Sequence, residues 1–162
     1  MTLSLQLAKL IIAAVAIGLA LPGLATAADK DLSEVSGYAL TESGLAKFTQ
    51  ATRNVATVPG ACERQDDDDD DNLKSIDQMV AKLNSVPGVQ AAIQSAGMTT
   101  REYVVFMFSM MQNGMAAWAV SQPGGKLPAG ISQANVDFYK KHEAAMAAIG
   151  EGDPCDEEGD AQ

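Results

Sequence analysis

Apolar residues recur at every third or fourth position over most of this chain, the spacing of one face of an α-helix, and strand-like alternation is nearly absent. Leu45, Phe48, Thr52 and Val55 predict a helix over 41–55, opened by Thr41 as N-cap and stopped by Pro59-Gly60. Leu73, Ile76, Met79, Val80 and Leu83 predict a second over 72–84, with Lys74, Asp77, Gln78 and Lys82 on its outer face. A short third helix has Pro87 at its first turn, carries Val89, Ala92, Ile93 and Ala96, and ends at Gly97.

The fourth helix is the best marked. Thr99 and Glu102 have the spacing of a capping box, and Met98 and Tyr103 stand where a hydrophobic staple belongs. No charged residue occurs from Tyr103 to Gly125. Val104, Met107, Met111 and Trp118 fall on one face, with Phe106, Phe108, Met110 and Met115 on the others. A helix apolar nearly all round is a buried central element or a membrane span, and Ser109, Gln112, Asn113 and Gly114 at mid-length favour the buried one. Ser132 opens a fifth helix running to about 149, with Val136, Phe138, Tyr139, Ala145, Met146 and Ile149, stopped by Gly150, Gly152 and Pro154. The expected fold is all-α: a small antiparallel bundle of four main helices and a short one, wrapped around the fourth.

The N-terminus sets the compartment. Lys9 precedes an apolar run from Leu10 to Leu21, Pro22-Gly23 breaks it, and Ala25-Thr26-Ala27 offers the small residues that a signal peptidase cuts after. The run of about 12 residues is short of the roughly 20 that span a bilayer. The division expected is a secretory signal peptide over 1–27, a lead-in over 28–40, a helical domain over 41–150 with an acidic linker at 60–71, and an acidic tail over 151–162. The mature chain is then periplasmic or secreted, with no stable membrane span.

Charge narrows the partners. The 162-residue chain has 11 basic and 21 acidic residues, a net charge of −10, and loss of Lys9 makes it about −11. That balance argues against nucleic acid and anionic lipid surfaces. The acids are concentrated: Glu63 and Asp66, Asp67, Asp68, Asp69, Asp70 and Asp71 lie in one linker, and Glu151, Asp153, Asp156, Glu157, Glu158 and Asp160 in the tail. Oxygen ligands suit hard divalent cations, so weak calcium or polycation binding is the chemistry this run suggests. It lacks EF-hand spacing, and a solvated linker is the plainer reading.

Cys62 and Cys155 are the two cysteines, and in an oxidising compartment an even count reads as a disulfide. An intermolecular bridge or two free thiols are the alternatives. An intramolecular bridge would contribute on the order of 4 kcal/mol by the chain-entropy estimate. It would also bring both acidic segments to one place.

Catalytic constellations are missing from the sequence: there is one histidine, no phosphate-binding glycine loop and no nucleophile elbow. Met107 and Met111, with His142 on the last helix, are the residue types that ligate copper(I) or haem iron, although methionine is more often core filler. The absence of Cys-x-x-Cys-His excludes covalent haem. The sequence therefore leads to a non-catalytic exported binding protein without a required cofactor, its partner an unidentified protein or small ligand. A bundle carrying an apolar ligand, haem or copper at its Met-rich core is the alternative.

Overall fold

The computed structural model describes residues 27–61 and 75–151. The leader, Cys62, Asp66 to Asp71, Cys155 and most of the acidic tail lie outside the described residues. Among the described residues there are six helices and no strand: α1 (Ala27–Gly37), α2 (Glu42–Ala56), α3 (Ile76–Asn84), α4 (Val89–Ser95), α5 (Thr100–Ser121) and α6 (Gln133–Glu151). The all-helical class stands as expected. The count does not, because the segment expected as a lead-in is helix α1, with Asp29 in its first turn and Val35 buried. Only two large apolar residues, Leu32 and Val35, mark its periodicity, too few to stand out in sequence.

Caps decide the boundaries. Thr41 accepts from Gly44 N at 3.0 Å and opens α2. α3 starts at Ile76 and not at 72, since Ser75 is extended at φ −152° and its hydroxyl accepts from Gln78 N at 3.2 Å. Pro87 lies outside α4, whose N-cap is Gly88, and Gly97 leaves that helix in the left-handed region at φ 79°, where only glycine is comfortable. The Thr99–Glu102 capping box forms in full: Glu102 N donates to Thr99 Oγ1 at 3.1 Å, and Thr99 N donates back to Glu102 Oε2 at 2.8 Å. These reciprocal bonds hold the Glu102 carboxyl below its usual value.

α5 touches every other helix. Its Phe106, fully buried, stacks on Phe48 of α2 at 4.9 Å between centroids, and Phe48 stacks on Tyr103 at the same distance. Leu45, Ile93, Met98 and Met110 belong to the same core, with Leu40, Ala51, Val86 and Val89. On a second side of α5, Val104 and Val105 pack with Val35 and Ile76, and on a third Ala116 and Ala117 meet Val136 of α6. α6 comes close because residue 114 is glycine: a Cβ there would stand 2.8 Å from Tyr139 Cζ. No described helix is long and apolar enough to cross a membrane.

Candidate functional site

α5 is not buried all round, which corrects the expectation from its composition. The face that begins at buried Val104 emerges into solvent toward the C-terminus. Met111 is 53% exposed, Met115 59% and Trp118 69%. Spacings of four and three put these three side chains in one stripe, so Met115 shares the face of Met111 and Trp118 and does not lie on another face as the sequence reading expects. The shorter helices around α5 cover its N-terminal half on this side and leave the second half open. Single exposed apolar residues are ordinary, whereas a contiguous set of large ones marks an interaction surface.

Polar ties set α1 beside this stripe. Ser109 Oγ, fully buried on α5, donates to Val35 O at 2.9 Å, and Gln112 Nε2 donates to Ser36 Oγ at 3.2 Å. Arg101 grips Glu34 of α1 through Nε–Oε1 at 2.8 Å and Nη2–Oε2 at 2.5 Å, and bonds Asp77 of α3 through Nη1. Those bonds hold Glu34 and Asp77 below the usual carboxylate range. Asp31 Oδ2 accepts from Ile76 N at 2.8 Å, tying α1 to the start of α3. With α1 so fastened, Leu32 projects outward, 59% exposed, beside Met115.

Two hollows flank this ridge. The larger, about 880 Å³, lies between α1, α5 and the 128–131 loop, with Leu32, Met115, Trp118 and Ile131 in its lining. The other, about 350 Å³, lies between α1, α3 and α5, lined among others by Leu32, Met79, Phe108, Met111 and Met115. Leu32, Gln112 and Met115 border both, so the two form one trough along α5 from Phe108 to Ala119. At 1.5 Å per residue that is roughly 16 Å, about three helical turns. Among the described residues, the charged ones in the linings are Asp29 and Asp31. Among the described residues, the buried side-chain oxygens Gln112 Oε1 and Asn113 Oδ1 have no hydrogen-bond partner.

The residues singled out in the sequence are divided by the fold. Met107 and Met111 do share a hollow of about 420 Å³ between α5 and α6, with Met110, Met146, Tyr139 and Glu143. His142 does not border it. Its Nε2 lies 3.0 Å from Glu42 Oε1, and its ring packs on Phe138 with centroids 4.4 Å apart. Lys141 Nζ bonds the same Glu42 oxygen at 2.5 Å, and together they lower the Glu42 pKa, the Lys141 bond first. His142 thus fastens α6 to α2. Among the described residues, no group of three His, Cys, Asp or Glu is placed to hold a metal ion. Leu32, Met115 and Trp118 were not recognised as a site from sequence. The signal available was an α5 too long and too apolar to be covered by its short neighbours.

Fold and site together define an all-helical protein with an open apolar trough on its longest helix. No protein-family model matches the chain, and none of the curated proteins or solved structures matches it either.

Proposed function

We propose that this is a non-catalytic, exported helical interaction protein that binds a partner through the α1/α5 trough. The observation that carries the reading is the stripe Met111–Met115–Trp118 left exposed beside Leu32 on an otherwise packed helix. An apolar face of this size costs solubility and aggregation resistance, and is kept where a partner covers it. His142 has a structural task at Glu42, which fits a binding role better than a catalytic one. The leader over 1–27 places the chain outside the cytoplasm in this reading, as a compact antiparallel bundle whose mature terminus would fall in the first turn of α1. A Cys62–Cys155 bridge and weak calcium binding by Asp66 to Asp71 belong to the same proposal.

The test uses an apolar fluorescent dye with the purified mature chain. Dye enhancement that saturates, and that Met115→Glu abolishes without lowering the melting temperature, supports the trough as a binding face. Enhancement that is absent, or unchanged in that variant, overturns it. Calorimetric titration with calcium to millimolar levels tests the acidic run separately.

A second reading has its own observation: four methionines, Met107, Met110, Met111 and Met146, line the α5/α6 hollow. Thioethers are soft ligands that suit copper(I). Competition for copper(I) against a chelator, compared with a Met107→Leu/Met111→Leu variant, tests it. Equal competition by both proteins ends that reading.

A further inference from the structure

We propose that Met111 and Met115 form a paired oxidation site, at which a peroxide turns both thioethers into sulfoxides and switches the α1/α5 trough from an apolar face to a polar one. The consequence for binding rests on the face proposed above. The site itself rests on how α5 sorts its methionines. Met111 and Met115 are 53% and 59% exposed, about one helical turn apart, whereas Met110 on the same helix is 2% exposed and Met98, just before it, 5%. Met79, Met107 and Met146 lie between these extremes. Oxidation follows access to the sulfur, so a peroxide meets the two trough methionines first and the core ones last.

The step needs only the sulfur and the oxidant. A lone pair of the thioether attacks one oxygen of hydrogen peroxide, and the S–O bond forms as the O–O bond breaks. The transferred hydroxyl gives its proton to the departing one, which leaves as water. Sulfur loses the two electrons that the peroxide gains. Position then gives the product its effect. Met115 lines both hollows and Met111 the smaller one, and Trp118 stands one turn beyond Met115. A sulfoxide is a polar hydrogen-bond acceptor, and an apolar surface that covered it would strip its water without returning a hydrogen bond. The fold is spared, because more than half of each residue is already in solvent and the core keeps its own thioethers. Met111 also borders the α5/α6 hollow, so the same oxidation withdraws one thioether from there. Reduction of the sulfoxides restores the apolar face.

The mature protein is treated with graded hydrogen peroxide and followed by peptide mass spectrometry, apolar-dye fluorescence and melting temperature. Met111 and Met115 are expected to oxidise at least about ten-fold faster than Met98 and Met110. Once both are oxidised, dye enhancement is expected to fall several-fold while the melting temperature moves by less than about 3 °C. Enzymatic reduction of both sulfoxide epimers is expected to restore the enhancement. Met111→Leu/Met115→Leu is expected to bind dye and to ignore peroxide, and Met111→Gln/Met115→Gln to lose dye binding without any oxidant. Oxidation of Met98 or Met110 at the rate of the trough pair overturns the site. Full oxidation of the pair with dye enhancement unchanged, in a protein that Met115→Glu does silence, overturns the switch and leaves the binding face standing. Peroxide sensitivity retained by the leucine variant assigns the effect to another group and overturns the switch as well. A protein whose untreated form gives no dye enhancement fails as a binding face, and the switch falls with it even where the pair oxidises first.

Discussion

Gly114 of α5 and Tyr139 of α6 are in such close approach that a Cβ on the glycine would lie 2.8 Å from Tyr139 Cζ and 3.0 Å from its hydroxyl oxygen. Glycine in mid-helix ordinarily costs about 1 kcal/mol relative to alanine, so its presence here reflects the neighbouring ring. Gly114→Ala is expected to destabilise by about 1–2 kcal/mol net, the overcrowding outweighing the gain in helix propensity. Denaturant unfolding measures it. In a Tyr139→Ala background the same change is expected to become neutral or stabilising, and additivity of the two substitutions would show that the approach is not what selects glycine.

Asn135 supplies the second test. It is buried on α6, where its Oδ1 accepts from Leu40 N at 3.1 Å and its Nδ2 donates to Tyr38 O at 2.7 Å, clasping the turn between α1 and α2. Asn135→Leu removes both bonds and strands a buried N–H, at an expected cost of about 2–3 kcal/mol. Asn135→Asp keeps the acceptor but turns an oxygen toward Tyr38 O, so it is also expected to destabilise at neutral pH. A melting temperature unchanged in both variants would remove the clasp from the account.

Acid sensitivity follows from the lowered carboxylates. Glu34, Asp77, Glu42 and Glu102 all have folded pKa values below their ordinary 4.5 or 3.8, the first two through Arg101, the third through Lys141 and His142, the last through Thr99. A depressed pKa contributes stability that is present above the unfolded value and lost as pH falls through the folded one. The melting temperature is therefore expected to hold above pH 5 and to fall progressively below about 4.5. Arg101→Leu is expected to lower it at neutral pH and to flatten the acid limb, since two of the four carboxylates then lose their main partner. A limb of unchanged slope would contradict that assignment. At the other end, burial raises Tyr38 above its ordinary 10, a contribution intact below 10 and lost as pH rises through the folded value.

Much of the fold was legible because local chemistry and global packing agree. The Thr41 cap, the Thr99–Glu102 box and the Gly97 stop are short-range signals, and each forms as read. α1 was missed because its hold on the molecule is tertiary and polar: Glu34 to Arg101, Asp31 to Ile76 N, and Val35 O to Ser109 span 67, 45 and 74 residues, separations that no periodicity encodes. The candidate site was misread for a related reason. Hydrophobicity around α5 says that many faces want cover, but not which face goes without, and that is decided by where α1, α3 and α6 end. His142 was linked with Met107 and Met111 by residue type, whereas Glu42, a hundred residues away in sequence, determines where its ring points.

Trp118 and Phe106 offer the sharpest separation between folding and recognition, because both are aromatic and both project from α5. Phe106 is fully buried between Phe48 and Tyr38, in stacked and edge-on contact. Phe106→Ala is expected to cost about 3–5 kcal/mol by lost transfer energy and the cavity left behind. Trp118 is 69% exposed, so Trp118→Ser is expected to alter stability by less than about 0.5 kcal/mol while removing most of the binding to the apolar dye. If Trp118→Ser instead destabilised the fold by several kcal/mol, the indole would have to be packed against some part of this same chain, and the trough would be an element of the core and not a face held open for a partner.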